Sequence, residues 1–146
     1  QDSIYLWVGD GADSKFGSGV LSRKSSERVN LILPGYISDK RMMTVIYSAA
    51  TALLLTSREE PFGSVVLEAF ANKTPVVAFD HCGGYIDVVC PGQTGELVEP
   101  YDIQEMIQKA KKMSENDVYY RRIVENCYNT AREANFNNYC KRLIEG

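Results

Sequence analysis

Glu60-Pro61-Phe62-Gly63-Ser64-Val65-Val66-Leu67-Glu68-Ala69-Phe70-Ala71 is the stretch whose reading decides the fold. It follows the apolar run Ala52-Leu53-Leu54-Leu55-Thr56 and precedes another, Pro75-Val76-Val77-Ala78-Phe79. A strand, a glycine-containing loop, a helix over Ser64 to Asn72 and a second strand make one β-α-β unit. Strands that are apolar throughout, rather than alternating, belong to a parallel sheet covered on both faces. Working outward, Ile4-Tyr5-Leu6-Trp7-Val8 reads as a buried first strand that ends at Gly9-Asp10-Gly11, and Val29 to Leu33 as a second, closed by Pro34-Gly35. Ser38-Asp39 predicts the cap of a helix from Lys40 to Ala50, with Met43, Ile46, Tyr47 and Ala50 on one face. Glu96-Leu97-Val98 is a short fifth strand. Three apolar stripes then predict helices: Ile103, Met106, Ile107 and Ala110; Tyr120, Ile123, Val124, Cys127 and Ala131; Phe136, Tyr139, Cys140 and Leu143. Ser114 with Asp117 resembles a capping box at the start of the second. The predicted class is α/β, a doubly wound parallel sheet with helices on both faces, and such sheets take ligands at the carboxyl ends of their strands.

Composition narrows the function. A chain of 146 residues, 45% hydrophobic and 24% charged, suits one globular domain over residues 1–146. A net charge of −3 argues against a dedicated nucleic-acid binder, which carries a basic balance or stripe. Cys82, Cys90, Cys127 and Cys140 form no C-x-x-C pair, and His81 is the only histidine, so no metal site is expected. Thiols at this density read as reduced, which predicts a cytosolic protein. The N-terminus shows no signal-peptide pattern, and no apolar stretch approaches the ~20 residues of a membrane helix.

The carboxyl end of the third strand carries the chemistry. The amides at the start of the following helix lack intrahelical acceptors and attract anions, while Gly63 lets a ligand approach the backbone. Glu68, about one turn into the helix, and Glu60, before the loop, offer acceptors for sugar hydroxyls. A glutamate near a helix start also serves simply to complement the dipole. A second glycine turn favours the ligand role, because Asp80-His81-Cys82-Gly83-Gly84 ends the adjacent parallel strand. An anion site between two hydroxyl-binding carboxylates has the outline of a nucleoside diphosphate sugar.

Glu60 to Ala71, with Thr74-Pro75-Val76-Val77-Ala78 and Gly83-Gly84, resembles the retaining GT-B glycosyltransferases, and within them the group 1 branch (family 4). Val8-Gly9-Asp10-Gly11, Gly35-Tyr36-Ile37, Ala49-Ala50 and Gly95-Glu96-Leu97-Val98 extend the likeness over nearly the whole chain. The resemblance implies a Rossmann-like domain that is the C-terminal, donor-binding half of such an enzyme. It implies that Glu68 binds the nucleotide ribose, that the Val66 and Leu67 amides meet the diphosphate, and that Glu60, with the backbone of Phe62 and Gly63, holds the donor sugar. Gly11 would lie near the phosphates and Tyr36 near the base. The donor would be a UDP-, GDP- or ADP-sugar and the reaction metal-independent, with no further cofactor.

The chain also departs from the pattern. The family's phosphate-binding arginine and lysine follow a strand that would precede Ser3, central between the first and third strands here, so the domain is expected to be truncated at its N-terminal side. The acceptor-binding N-terminal domain is expected elsewhere, and any membrane contact with it. Edges left by an absent central strand predict oligomers or a rearranged sheet. Arg58 and Lys73 read as surface charge, His81 as a loop side chain, Asp87 as a helix-start residue, and Tyr119, Tyr120 and Tyr128 as packing. The predicted activity of the whole protein is retaining transfer of a sugar to a hydroxyl acceptor. The alternative is a non-catalytic nucleotide-sugar-binding or assembly domain.

Overall fold

The computed structural model describes residues 3–9, 30–57, 59 and 63–134. The chain divides into two compact units, Gln1–Met43 and Thr44–Gly146.

In the first unit β1 (Ile4–Val8) pairs in parallel with β2 (Asn30–Gly35). Leu6 stands opposite Ile32, and a register shift then sets Val8 opposite Gly35. The Gly9 N–H donates to the Gly35 carbonyl at 3.0 Å, which closes the ladder. β2 therefore runs on through Pro34 and Gly35, which the sequence marks as its end. A proline is tolerated there because successive N–H groups of a strand point to opposite sides and β2 has a ladder on one side only among the described residues. The prediction of a buried first strand needs correction. Ile4, Leu6 and Ile32 are exposed while Tyr5, Leu31 and Leu33 are half-buried, so one face of this ribbon is covered and the other is not.

The second unit holds the core. α1 (Lys40–Ala49) leads into it, capped by Asp39, whose Oδ1 accepts the Arg41 N–H at 2.8 Å. The predicted face of α1 turns inward: Tyr47 is buried and Met43, Ile46 and Ala50 are half-buried. β3 (Leu53–Leu55), α2 (Ser64–Ala71), β4 (Val76–Phe79), a 3₁₀ turn at Gly84–Asp87 and β5 (Gly95–Val98) follow. The three strands are parallel in the order β3-β4-β5. Every residue of β4 is at most 2% exposed, and because alternate side chains point to opposite faces, both faces must be covered. α2 packs on β4 and on α4 (Asp117–Glu133), and α3 (Ile103–Glu115) packs on β4 and β5. The parallel α/β class is therefore as the apolar runs predicted. Among the described residues the strands form two sheets rather than one, and no ladder joins β1 to β3.

Local chemistry pins these layers. Thr74, fully buried before β4, donates from Oγ1 to the Tyr47 carbonyl at 2.6 Å and ties the end of α1 to the start of the central strand. Glu96 on β5 accepts the Tyr119 hydroxyl at 2.8 Å and faces Lys109 Nζ at 3.5 Å, which joins β5 to α3 and α4. Asn116, not Ser114, caps α4: its side chain accepts the Tyr119 N–H at 3.0 Å, whereas Ser114 donates back to the Lys111 carbonyl inside α3. Asp87 closes the 3₁₀ turn rather than starting a helix. The Phe136 stripe and Val29 lie outside the described residues.

β5 also demands a residue without a side chain. A Cβ on Gly95 would collide with the Val76 carbonyl across the ladder and come within 3.2 Å of Val89 Cγ1. Gly95→Ala is expected to lower stability by about 1–3 kcal/mol, the usual cost of overpacking, read as a lower urea midpoint at unchanged m-value.

Candidate functional site

α2 begins on Gly63, whose φ of 60° and ψ of 25° place it in the left-handed region that glycine adopts without strain. Among the described residues no side chain caps the helix, and its first turn carries no acidic residue. α3 and α4 are built differently. Asp102 and Asn116 cap them through side-chain oxygens, and Glu105 and Asp117 stand in their first turns. The positive end of the α2 dipole is thus left unneutralised by its own residues.

The amides at this helix start fall into two pairs. Val66 and Leu67 both donate to the Gly63 carbonyl, at 2.9 and 3.3 Å, so the two amides expected to meet a diphosphate are engaged within the turn. Val66 is also fully buried. The N–H groups of Ser64 and Val65 have no acceptor among the described residues, and they are the open donors of this helix end.

The second glycine turn lies directly against the first. A Cβ on Gly63 would sit 3.0 Å from Tyr85 Cβ and 3.3 Å from its Cα. Tyr85 is buried in the 3₁₀ turn that follows Gly83, and its hydroxyl donates to the Phe79 carbonyl at 2.7 Å. That bond seats the turn on the end of β4 and carries it up to the start of α2. The sequence places two glycine turns at neighbouring strand ends, and Tyr85 is the residue that joins them. It was missed because an apolar-looking loop tyrosine carries no spacing signal.

Glu68 lies in the second turn of α2 and is exposed. Its Oε2 accepts the Tyr47 hydroxyl at 3.4 Å, and its other carboxylate oxygen has no partner among the described residues. Burial, and then the charge and hydrogen bond of Glu68, push the Tyr47 hydroxyl up to about 12. The sequence assigned Tyr47 only to an apolar stripe, because periodicity registers the ring and not the hydroxyl.

Of the other expected residues, Tyr36 belongs to the first unit and is 71% exposed. Glu60, Phe62, Gly11 and Arg58 lie outside the described residues. Lys73 is exposed, with its ammonium 5.0 Å from the centre of the Tyr128 ring, and so serves packing. Tyr120 donates to the Thr51 carbonyl and Tyr119 to Glu96, so these tyrosines also pack elements together. His81 is an exposed loop residue beside Asp80, its Nε2 3.4 Å from Oδ2. Cys127 is a core thiol: its Sγ donates to the Thr94 carbonyl at 3.0 Å, and burial pushes it up to about 12. Among the described residues no cluster of His, Cys, Asp and Glu could hold a metal ion, and no helix is long and apolar enough to cross a membrane.

Residues 7–130 match the model of a family described as Glycosyl transferases group 1. The chain is 33% identical over 89 residues to the mannosylfructose-phosphate synthase of Agrobacterium fabrum, a match that covers 61% of this chain and 19% of that protein. Among solved structures, the sucrose-phosphate synthase of Thermosynechococcus elongatus superposes with a TM-score of 0.80 at 28% identity, over 96% of this chain and 36% of that one. HepE of Anabaena, solved in complex with UDP-glucose, gives 0.73 at 25% identity, over 89% and 36%. The chain spans about a fifth of the length of the first curated relatives it matches.

The Tyr47 environment sets a pH dependence. Its hydroxyl holds a proton more tightly in the fold than the ~10 of a free tyrosine, so its contribution is complete below pH ~10 and is lost as pH rises toward 12. Urea unfolding at pH 9, 10 and 11 is expected to show a shallower loss of stability in Tyr47→Phe than in the parent. Equal slopes would mean that this hydroxyl titrates normally.

Proposed function

The chain belongs to the group 1 glycosyl transferases, and from that membership we propose that it forms the donor-binding half of an enzyme that transfers a sugar from a nucleoside diphosphate to a hydroxyl acceptor. The observation that carries this reading is the start of α2. A helix end with no side-chain cap and no first-turn acid stands four residues before a carboxylate with one oxygen open. The diphosphate would lie at the helix end against the Ser64 and Val65 amides, and the ribose hydroxyls would donate to Glu68. HepE, with UDP-glucose in its structure, supports a donor of this class.

The chemistry asked of these groups is electrostatic. As the glycosidic bond to the donor breaks, negative charge grows on the leaving diphosphate. Fixed amide dipoles stabilise that charge without having to reorganise. Such catalysis places no demand on a metal ion, and the donor is a UDP-, GDP- or ADP-sugar with no further cofactor. Glu60 would position the donor sugar, with the Phe62 and Gly63 backbone beside it. Retention of anomeric configuration, a separate acceptor-binding domain and a cytoplasmic setting complete the proposal.

The test is sugar transfer by the full-length protein from a panel of UDP-, GDP- and ADP-sugars, with the product's anomeric configuration read by NMR. Glu68→Gln should weaken donor binding about 10- to 100-fold, as expected for hydrogen bonds to a charged acceptor. Unchanged binding and turnover in that variant would remove Glu68 from the site. Residues 1–146 alone should transfer no sugar, and measurable turnover by them would show that the acceptor domain is dispensable.

A further inference from the structure

Tyr47 is buried, yet its hydroxyl emerges at the one carboxylate proposed to touch the nucleotide. We propose that Tyr47 is a positioning residue that holds the Glu68 carboxylate in the orientation that receives the ribose hydroxyls. This assignment rests on Glu68 binding the ribose, as proposed for the donor site.

The geometry gives the reason. Glu68 is an exposed glutamate with three side-chain torsions, and without a second contact its carboxylate would sample many rotamers. The Tyr47 hydroxyl donates to Oε2 and leaves the second oxygen open. A carboxylate fixed through one oxygen can offer the other to a vicinal diol without losing rotamer freedom on binding. The hydroxyl must remain a donor to do this, and burial beside Glu68 keeps it protonated well above the usual tyrosine range.

Tyr47 is itself held from the core. Its carbonyl accepts Thr74 Oγ1 at 2.6 Å, and Thr74 is fully buried at the entry to β4. The Glu68 backbone is anchored separately, with its carbonyl accepting Asn72 Nδ2 at 2.8 Å. The line from Thr74 through Tyr47 to Glu68 therefore sets the carboxylate against the central strand rather than against solvent.

The experiment compares nucleotides that differ only where Glu68 would act. In the full-length protein, the affinities of UDP, GDP and ADP and of their 2′-deoxy counterparts are measured by calorimetry, and the ribose preference is their ratio. Tyr47→Phe keeps the ring in the core and is expected to lower that preference about tenfold, with little change in affinity for the deoxy nucleotide. A merely structural role would weaken both nucleotides alike. Glu68→Gln should abolish the preference, and Tyr47→Phe added to it should change nothing further. Should Tyr47→Phe fail to fold by circular dichroism, Tyr47→Leu is read in its place. A full ribose preference in the Tyr47 variant, with the preference lost in Glu68→Gln, overturns the positioning role alone. A preference that survives Glu68→Gln overturns the ribose assignment itself.

Discussion

The contact between Gly63 and Tyr85 is the constraint from which the candidate site is built. A left-handed residue starts α2, and Tyr85 of the next loop stands against the position a Cβ would take, its Cβ at 3.0 Å and its Cα at 3.3 Å. Glycine meets both conditions without strain. Tyr85 cannot retreat, because it is wholly buried and bonded to the carbonyl that ends β4. The loop after β4 and the helix after β3 are therefore locked together at the carboxyl end of a parallel sheet, and the most buried strand of the molecule supplies the anchor. The position of the open Ser64 and Val65 amides is inherited from core packing.

The capping pattern divides the helices by task. α1, α3 and α4 close their starts with Asp39, Asp102 and Asn116. α2 alone among the described α-helices begins on a residue with no side chain to offer. Other polar side chains of the unit are spent inside it: Thr94 on the loop it closes, through Val88 and Cys90, and Glu96 on Tyr119 and Lys109. Glu68 departs from this economy, since its carboxylate takes one internal partner and keeps one oxygen open.

The β-α-β unit was legible because its signals are local. Leu53 to Leu55 and Val76 to Phe79 are apolar on every residue, and that pattern has one physical meaning when both faces of a parallel strand are covered. Gly63 was legible as a turn, though its clash partner was not, since Tyr85 meets it only through the fold. Strand partnership is also non-local, and the apolar run of β1 could not announce that Ile4 and Leu6 would face outward from a two-stranded ribbon. The capping-box pattern of Ser114 lost to Asn116 because α3 continues through Glu115 and takes the Ser114 hydroxyl for its own carbonyl. Among the described residues the amides left open at the start of α2 lie one step before Val66 and Leu67, whose own amides donate to the Gly63 carbonyl.

That small displacement matters for how binding and folding are coupled. A helix start without a side-chain cap or a first-turn acid forgoes about 0.5–1 kcal/mol that α3 and α4 retain. The deficit is concentrated at two amides and a dipole end, so an anion placed there supplies both missing terms at once. A nucleoside diphosphate would then act as the cap of α2, with its diphosphate at the helix end and its ribose on Glu68 one turn later. Ligand binding would add to fold stability in proportion to the logarithm of its concentration over its dissociation constant. An aspartate in place of Gly63 would be strained in the left-handed conformation, and its Cβ would meet Tyr85. A side chain at this position is thus opposed twice over, once by backbone conformation and once by packing, and the capping of α2 is left to whatever binds there.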